Sequence, residues 1–148
     1  MLSAYADTSF LASLYLRDVN LPAARAFLAT HRTGLPFTSL QRFELVNAIR
    51  LSVYRGKVTA LDAANAISEI DRDVEAGNLC ETGLVWPELL EAAEEIGSTH
   101  SAALGVRSLD LLHIAAAVSF GAKLFLTFDR RQQTAAKAAG LQVETLAN

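Results

Sequence analysis

Short apolar runs alternate along this chain with longer stretches whose apolar residues recur at helical spacing, and that alternation sets the first expectation of its fold. Leu2-Ser3-Ala4-Tyr5-Ala6 is short and partly apolar, and it stops at Asp7-Thr8-Ser9, a group suited to closing a strand and capping the helix that follows. Phe10 to Leu16 reads as helical, and Pro22 stands where a first-turn proline opens a second helix to about Thr30. Leu35 to Thr38 is the second expected strand, and Ser39 is the candidate N-cap of a long helix from Leu40 to about Tyr54. Thr59-Ala60-Leu61-Asp62 has the capping-box order with Asp in place of Glu and opens a helix to about Glu75, which Gly77 ends. Leu79 to Thr82 follows as a strand, then a helix from Pro87 to about Ala103, and a helix from Leu109 to Phe120 with Ser108 as its cap. Lys123 to Thr127 is the fourth strand, Arg130 to Ala139 the last helix, and Gln142 to Thr145 the fifth strand. Strands that alternate with helices require crossover connections, so the expected class is α/β, with a mainly parallel sheet covered on both faces.

Composition narrows this without changing it. The 148 residues fit one domain spanning 1–148, and 51% hydrophobic against 20% charged residues with three prolines describes a folded chain rather than a disordered one. The lone Cys80 can form no internal disulfide and has no second cysteine for a metal pair, which fits a reducing cytoplasm; inside a short strand it is expected to be a buried small hydrophobe. The first residues lack a basic segment and place Asp7 where a secretory leader needs apolar residues, so a leader is not expected. Leu109 to Leu126 is apolar but carries Asp110, His113 and Lys123, and reads as a helix followed by a strand, not as a membrane span. A net charge of −3 argues against a broad basic face for nucleic acid. A nuclease needs only local positive charge, which metal ions and a few arginines supply.

The acidic residues divide into two groups. Glu88, Glu91 and Glu95 recur at helical spacing on a polar face, Asp62, Glu69 and Asp73 fit a solvated face, and Asp18 falls in a loop. Asp7 and Asp129 instead stand at the carboxyl ends of predicted parallel strands, the edge where open α/β sheets bind ligands; each is also in position to cap the next helix. Glu44 shares a helix face with Leu40, Ala48 and Leu51, and Asp110 lies in the first turn of an apolar helix with His113, Ile114 and Ala117. Acids on apolar faces call for a partner: Arg107 for Glu44, a simple capping role for Asp110, or a metal. No lysine or histidine cluster is present to neutralise four converging carboxylates, whereas a divalent ion with all-oxygen ligation, Mg²⁺ or Mn²⁺ rather than zinc, would do so. Two such ions could activate water and stabilise the leaving oxygen in phosphodiester hydrolysis. His113, on an apolar face, reads as a hydrogen-bonded core histidine rather than a general base, and Trp86 as core or interface.

Tyr5-Ala6-Asp7-Thr8-Ser9, Phe43-Glu44-Leu45, Leu109 to Ala117 and Leu126-Thr127-Phe128-Asp129 together, in this order and spacing, resemble the PIN-domain family, and within it the VapC toxins of toxin–antitoxin pairs. The resemblance runs nearly end to end. It implies a three-layer α/β/α domain with a five-stranded parallel sheet, Asp7, Glu44, Asp110 and Asp129 as catalytic ligands of one or two Mg²⁺ or Mn²⁺ ions, and endonucleolytic cleavage of RNA. Thr8, Ser9 and Thr127 would be hydroxyl neighbours that orient the carboxylates or a water, and Arg107, Arg130 and Arg131 candidate contacts to RNA phosphate. The chain departs from many relatives after the fourth acid, with Arg131 where they carry a further acid and Gln132 where they carry an aromatic or aliphatic residue. A homodimer and a separately encoded antitoxin protein are the implied partners. The alternative from another class is a catalytically silent PIN-like module that binds RNA or protein. Receiver and haloacid-dehalogenase-type folds fit less well, because Asp7 is followed by Thr8-Ser9-Phe10 and no second acid.

Overall fold

The computed structural model describes residues 3–144 and 146. In chain order its elements are β1 (Ala4–Ala6), α1 (Thr8–Leu16), α2 (Leu21–Thr30), β2 (Leu35–Phe37), α3 (Ser39–Tyr54), α4 (Ala60–Glu75), β3 (Leu79–Glu81), α5 (Trp86–Leu104), α6 (Ser108–Ser119), β4 (Leu124–Leu126), α7 (Arg130–Ala138) and β5 (Gln142–Val143). Every helix and strand expected from the periodicity is present, with ends that differ by a residue or two; Leu2 and Thr145, the outer ends assigned to the first and fifth strands, lie outside the described residues. Among the described residues no helix is long and apolar enough to cross a membrane.

The chain divides into two compact units, the first made of Met1–Asp7 with Leu84–Thr145 and the second of Thr8–Gly83 with Leu146–Asn148. In the first, β1, β4 and β5 form a parallel sheet in the order β1-β4-β5, with Ala4 opposite Leu124 and Ala6 opposite Leu126. All three residues of β1 and all three of β4 are buried, the continuous apolar signature of parallel strands covered on both faces. Tyr5 stacks on Phe125 with ring centroids 5.7 Å apart, and Ile114, Ala115, Ala116 and Ala117 of α6 complete the core beside them. Removing a side chain such as Phe125 from water contributes roughly 1.5–3 kcal/mol. α5 ends at Gly105, whose left-handed φ of 66° lets the chain turn sharply into Arg107 and α6.

In the second unit β2 and β3 pair in parallel, Leu35 opposite Leu79, while Phe10, Leu11, Phe27, Leu45, Ile49 and Ile70 are buried. Gly34 permits this pairing, since a Cβ there would fall 2.5 Å from the Gly77 carbonyl oxygen. α3 buries Leu40, Gln41, Leu45, Ile49 and Ser52 along one stripe and leaves Phe43, Leu51 and Tyr54 exposed. Both α3 and α4 open on complete capping boxes, Thr38 with Gln41 and Thr59 with Asp62. The backbone N–H of Thr59, which donates to Asp62 Oδ2 at 2.9 Å, and after it the Thr59 side chain hold the Asp62 carboxyl below the usual carboxylate range.

Four expectations about the sheet, the helix caps and Cys80 need correction. The described strands make a three-stranded and a two-stranded parallel sheet rather than one sheet of five; with two or three residues each, they support only a few rungs, and the ladders close within each unit. The cap of α3 is Thr38, not Ser39, because Thr38 is still extended and its hydroxyl accepts from Gln41 N–H. Ser108 is already helical, so Arg107 takes the N-cap position of α6 without a side-chain cap. Cys80 is exposed rather than buried, since Leu79 takes the inward position of β3 and the next residue points away.

Tyr15 shows how the second unit uses polar burial. Its phenol donates to Asp73 Oδ2 at 2.6 Å, and burial first, then the hydrogen bond and negative charge of Asp73, push its pKa well above the usual tyrosine value. A raised folded-state pKa means that the unfolded chain loses this proton first, so the stability it contributes is complete below about pH 10 and declines as pH rises beyond it. Tyr15→Phe should therefore lose less stability than wild type between about pH 9 and about pH 11 in urea melts. Equal losses in the two proteins would show that Tyr15 does not carry this dependence.

Candidate metal centre

The parallel register of β1 and β4 continues one residue beyond the strands, where Asp7 N–H donates to the Leu126 carbonyl at 3.0 Å. That bond sets the Asp7 side chain beside Thr127. Thr127 is fully buried, and its hydroxyl donates to Asp7 Oδ2 at 2.5 Å while accepting from Asp129 N–H at 3.0 Å. One hydroxyl thus joins the carboxylate at the end of β1 to the backbone carrying the carboxylate after β4. Asp7 itself is only 5% exposed.

Asp129 is the N-cap of α7, as its place in the sequence allows. Oδ1 accepts from Arg131 N–H at 2.9 Å and from Gln132 N–H at 3.4 Å. Its other oxygen, Oδ2, lies 4.0 Å from Arg107 Nη2. Arg107 Nε is also 3.3 Å from Oδ2 of Asp110, in the first turn of α6. Asp110 and Asp129 therefore flank a single guanidinium, supplied by the residue just ahead of α6. The capping role and the outward-facing oxygen of Asp129 coexist, because the helix amides engage one oxygen and leave the other toward Arg107.

The first unit thus joins Asp7, Thr127, Asp129, Asp110 and Arg107 in one connected set. Glu44 belongs to the second unit, half-buried on α3 at the edge of its buried stripe; Leu51, expected on the same inward face, is 39% exposed. Thr8 and Ser9 lie in the first turn of α1, also in that unit and half-buried. Arg107, Arg130 and Arg131 are exposed. His113 is a core histidine, 2% exposed with Nδ1 2.8 Å from the Tyr5 hydroxyl. Arg107, which the sequence offers as a partner for Glu44, makes its ion pairs with Asp110 and Asp129.

Gln132 is the residue that reading the sequence for acids misses. It is 1% exposed, and its side-chain amide donates to the Asp110 carbonyl at 3.0 Å, tying the start of α7 to the start of α6. A signal was available: Gln132 shares the buried stripe of α7 with Ala135 and Ala136, and a polar residue on such a stripe calls for an explanation.

The donor set is all oxygen, and two of its carboxylates already converge on one cationic group, which suits a hard divalent ion. Among the described residues no three His, Cys, Asp or Glu side chains are gathered into a metal-holding group. The three aspartates are engaged instead by Thr127, Arg107 and the amides of α7. An exposed guanidinium contributes little to stability but competes directly with any cation for the same oxygens. Arg107→Ala should therefore bind Mn²⁺ more tightly than wild type in calorimetric titration. Equal or weaker binding by the variant would show that the guanidinium does not occupy the place a cation takes.

No curated protein matches the chain. A family model described as the PIN domain matches residues 4–138, from the first residue of β1 to the last of α7 and through both compact units, and on that match the chain belongs to the PIN-domain family.

Proposed function

We propose that this chain is a Mg²⁺- or Mn²⁺-dependent endoribonuclease that hydrolyses RNA phosphodiester bonds, and that it is the toxin component of a toxin–antitoxin pair acting in the cytoplasm. PIN domains are generally nucleases. The observation that carries the reading to this chain is the convergence of Asp110 and Asp129 on one guanidinium, with Asp7 joined to Asp129 through the Thr127 hydroxyl. The reading takes residues 1–148 as one PIN domain, so that Glu44 completes the ligand set from α3.

In this reading Asp7, Glu44, Asp110 and Asp129 would hold one or two ions. When bound, such an ion lowers the pKa of a coordinated water and stabilises charge on the leaving oxygen. The protein's own residues do the rest. Thr127 orients the Asp7 carboxylate and occupies one of its lone pairs, with Thr8 and Ser9 proposed as further hydroxyl neighbours. The amides of α7 fix the rotamer of Asp129. Arg107, once released from the carboxylates, and the exposed Arg130 and Arg131 would take RNA phosphate as bidentate donors. The antitoxin is proposed as a separate small protein.

A homodimer is part of the proposal. Phe43 at 71% and Tyr54 at 88% exposure lie eleven residues apart on one side of α3, and Leu61 of α4 is 69% exposed, more apolar surface than a solitary helix pair usually shows to water. Sedimentation at micromolar concentration should give a dimer, and Phe43→Asp with Tyr54→Asp should return it to a monomer. A wild-type protein that sediments only as a monomer would remove this part of the proposal.

The nuclease reading is tested by RNA cleavage with and without EDTA, using Asp7→Asn as the paired variant. Asn keeps the size of Asp7 and an oxygen that can accept from Thr127, while relieving like-charge repulsion in the metal-free protein. The variant should melt in EDTA at or above the wild-type temperature, lose the upward shift that Mn²⁺ gives wild type, and lose cleavage by orders of magnitude. Wild-type cleavage should leave a 5′-phosphate and stop in EDTA. Cleavage that persists in excess EDTA would refute the metal mechanism, and RNA binding without any cleavage would favour the silent binding module.

A further inference from the structure

Gln132 presents an anomaly that the roles assigned so far leave unexplained. Its side chain is 1% exposed, and its Oε1 is buried with no hydrogen-bond partner among the described residues. The orientation of the amide is set by Asp110, whose carbonyl accepts from Nε2 at 3.0 Å. Turning the amide over would place Oε1 against that carbonyl, oxygen to oxygen, so the donor bond is kept and the acceptor goes without. A methionine has nearly the same length, fills the same space beside Ala135 and Ala136, and leaves no orphaned oxygen. Packing alone gives no reason for glutamine here.

What the glutamine does, and an apolar residue cannot, is connect two helix starts. Its backbone N–H reaches Asp129 Oδ1 at 3.4 Å, while its side chain reaches the main chain of Asp110. The same residue thus touches the carboxylate after β4 and the peptide that carries the carboxylate of α6. These are the two acids that share Arg107. We propose that Gln132 is a positioning residue that fixes the separation of the Asp110 and Asp129 carboxylates for a shared divalent cation, at the expense of one unsatisfied buried oxygen. The proposal rests on the reading of these carboxylates as ion ligands. It adds a named residue, outside the acidic set, on which their spacing depends.

The test measures Mn²⁺ affinity by calorimetry and melting temperature in EDTA for wild type, Gln132→Met and Gln132→Asn. The methionine removes both the bridge and the orphaned oxygen at nearly constant volume. The asparagine keeps the amide but withdraws it by one methylene, out of reach of the Asp110 carbonyl. Gln132→Met should melt in EDTA at or above the wild-type temperature and bind Mn²⁺ about tenfold or more weakly, the size of effect that partners of metal ligands have. Gln132→Asn should show the same loss of affinity, and it carries the test if the methionine variant does not fold. Wild type that binds Mn²⁺ alongside a folded variant of either kind with affinity within about twofold of it would overturn the positioning role and leave the metal reading intact. A lowered melting temperature with unchanged affinity would do the same, since it would make Gln132 a stability residue only. Wild type that does not bind Mn²⁺ would overturn both.

Discussion

A carboxylate buried at the end of a parallel ladder governs the arrangement around it. Asp7 is 5% exposed, and an ionised group in that setting must find hydrogen bonds or give up its charge. The register of β1 against β4 provides one by placing Thr127 where its hydroxyl donates to Asp7 Oδ2. A hydrogen bond to a charged group contributes roughly 1.5–3 kcal/mol, and an unmet one costs at least as much. A slip of the ladder by a single residue would turn Thr127 to the opposite face, so the apolar packing that holds the register also holds the site. Tyr5 and Phe125 stack against each other, and Tyr5 is anchored further by His113.

From Asp7 the constraint passes on through hydrogen bonds that each join a side chain to the main chain. Thr127 accepts from the amide of Asp129, Asp129 accepts from two amides of α7, and Gln132 returns from α7 to the main chain of Asp110. Each link is anchored in a strand end or a helix start, where conformational freedom has already been lost in forming the element. Functional groups held in this way keep their geometry better than groups carried on loops. Arg107 is the contrasting member, with a side chain 70% exposed that makes two long contacts to Asp110 and Asp129. Exposed pairs of that kind are worth about 0–1 kcal/mol, so Arg107 is the most weakly held member of the set.

The second unit follows the same economy of polar burial. Its two capping boxes satisfy the first amides of α3 and α4, and Tyr15 brings its hydroxyl to Asp73 rather than burying it alone. α3 has its buried stripe on one side, Phe43 and Tyr54 in solvent on another, and Glu44 half-buried at the margin. Such a helix is specified less by a single apolar face than by its cap and its neighbours.

The sequence by itself determined the order and kind of the elements, because local periodicity, prolines and capping residues act within a few positions of where they stand. It also marked Asp7 and Asp129 as strand-end acids and placed His113 in the core, since burial leaves its trace in the apolar residues around each. Several features were settled only by tertiary structure. Whether five short strands join one ladder or two depends on hydrogen bonds between distant segments, and the described strands pair as three and two. Cys80 faces outward because β2 and Leu79 define which side of β3 is covered. The choice of Thr38 over Ser39 as a cap turned on one backbone dihedral that either sequence position could have adopted. Arg107 was free in the sequence to pair with Glu44, and its actual partners follow from the turn that Gly105 makes before α6. Gln132 stands on the buried stripe of α7, which the sequence could mark, but that it reaches Asp110, 22 residues away in the chain, was not legible there. Contacts of that range leave no local pattern, and only the packing of α7 beside α6 brings them into being.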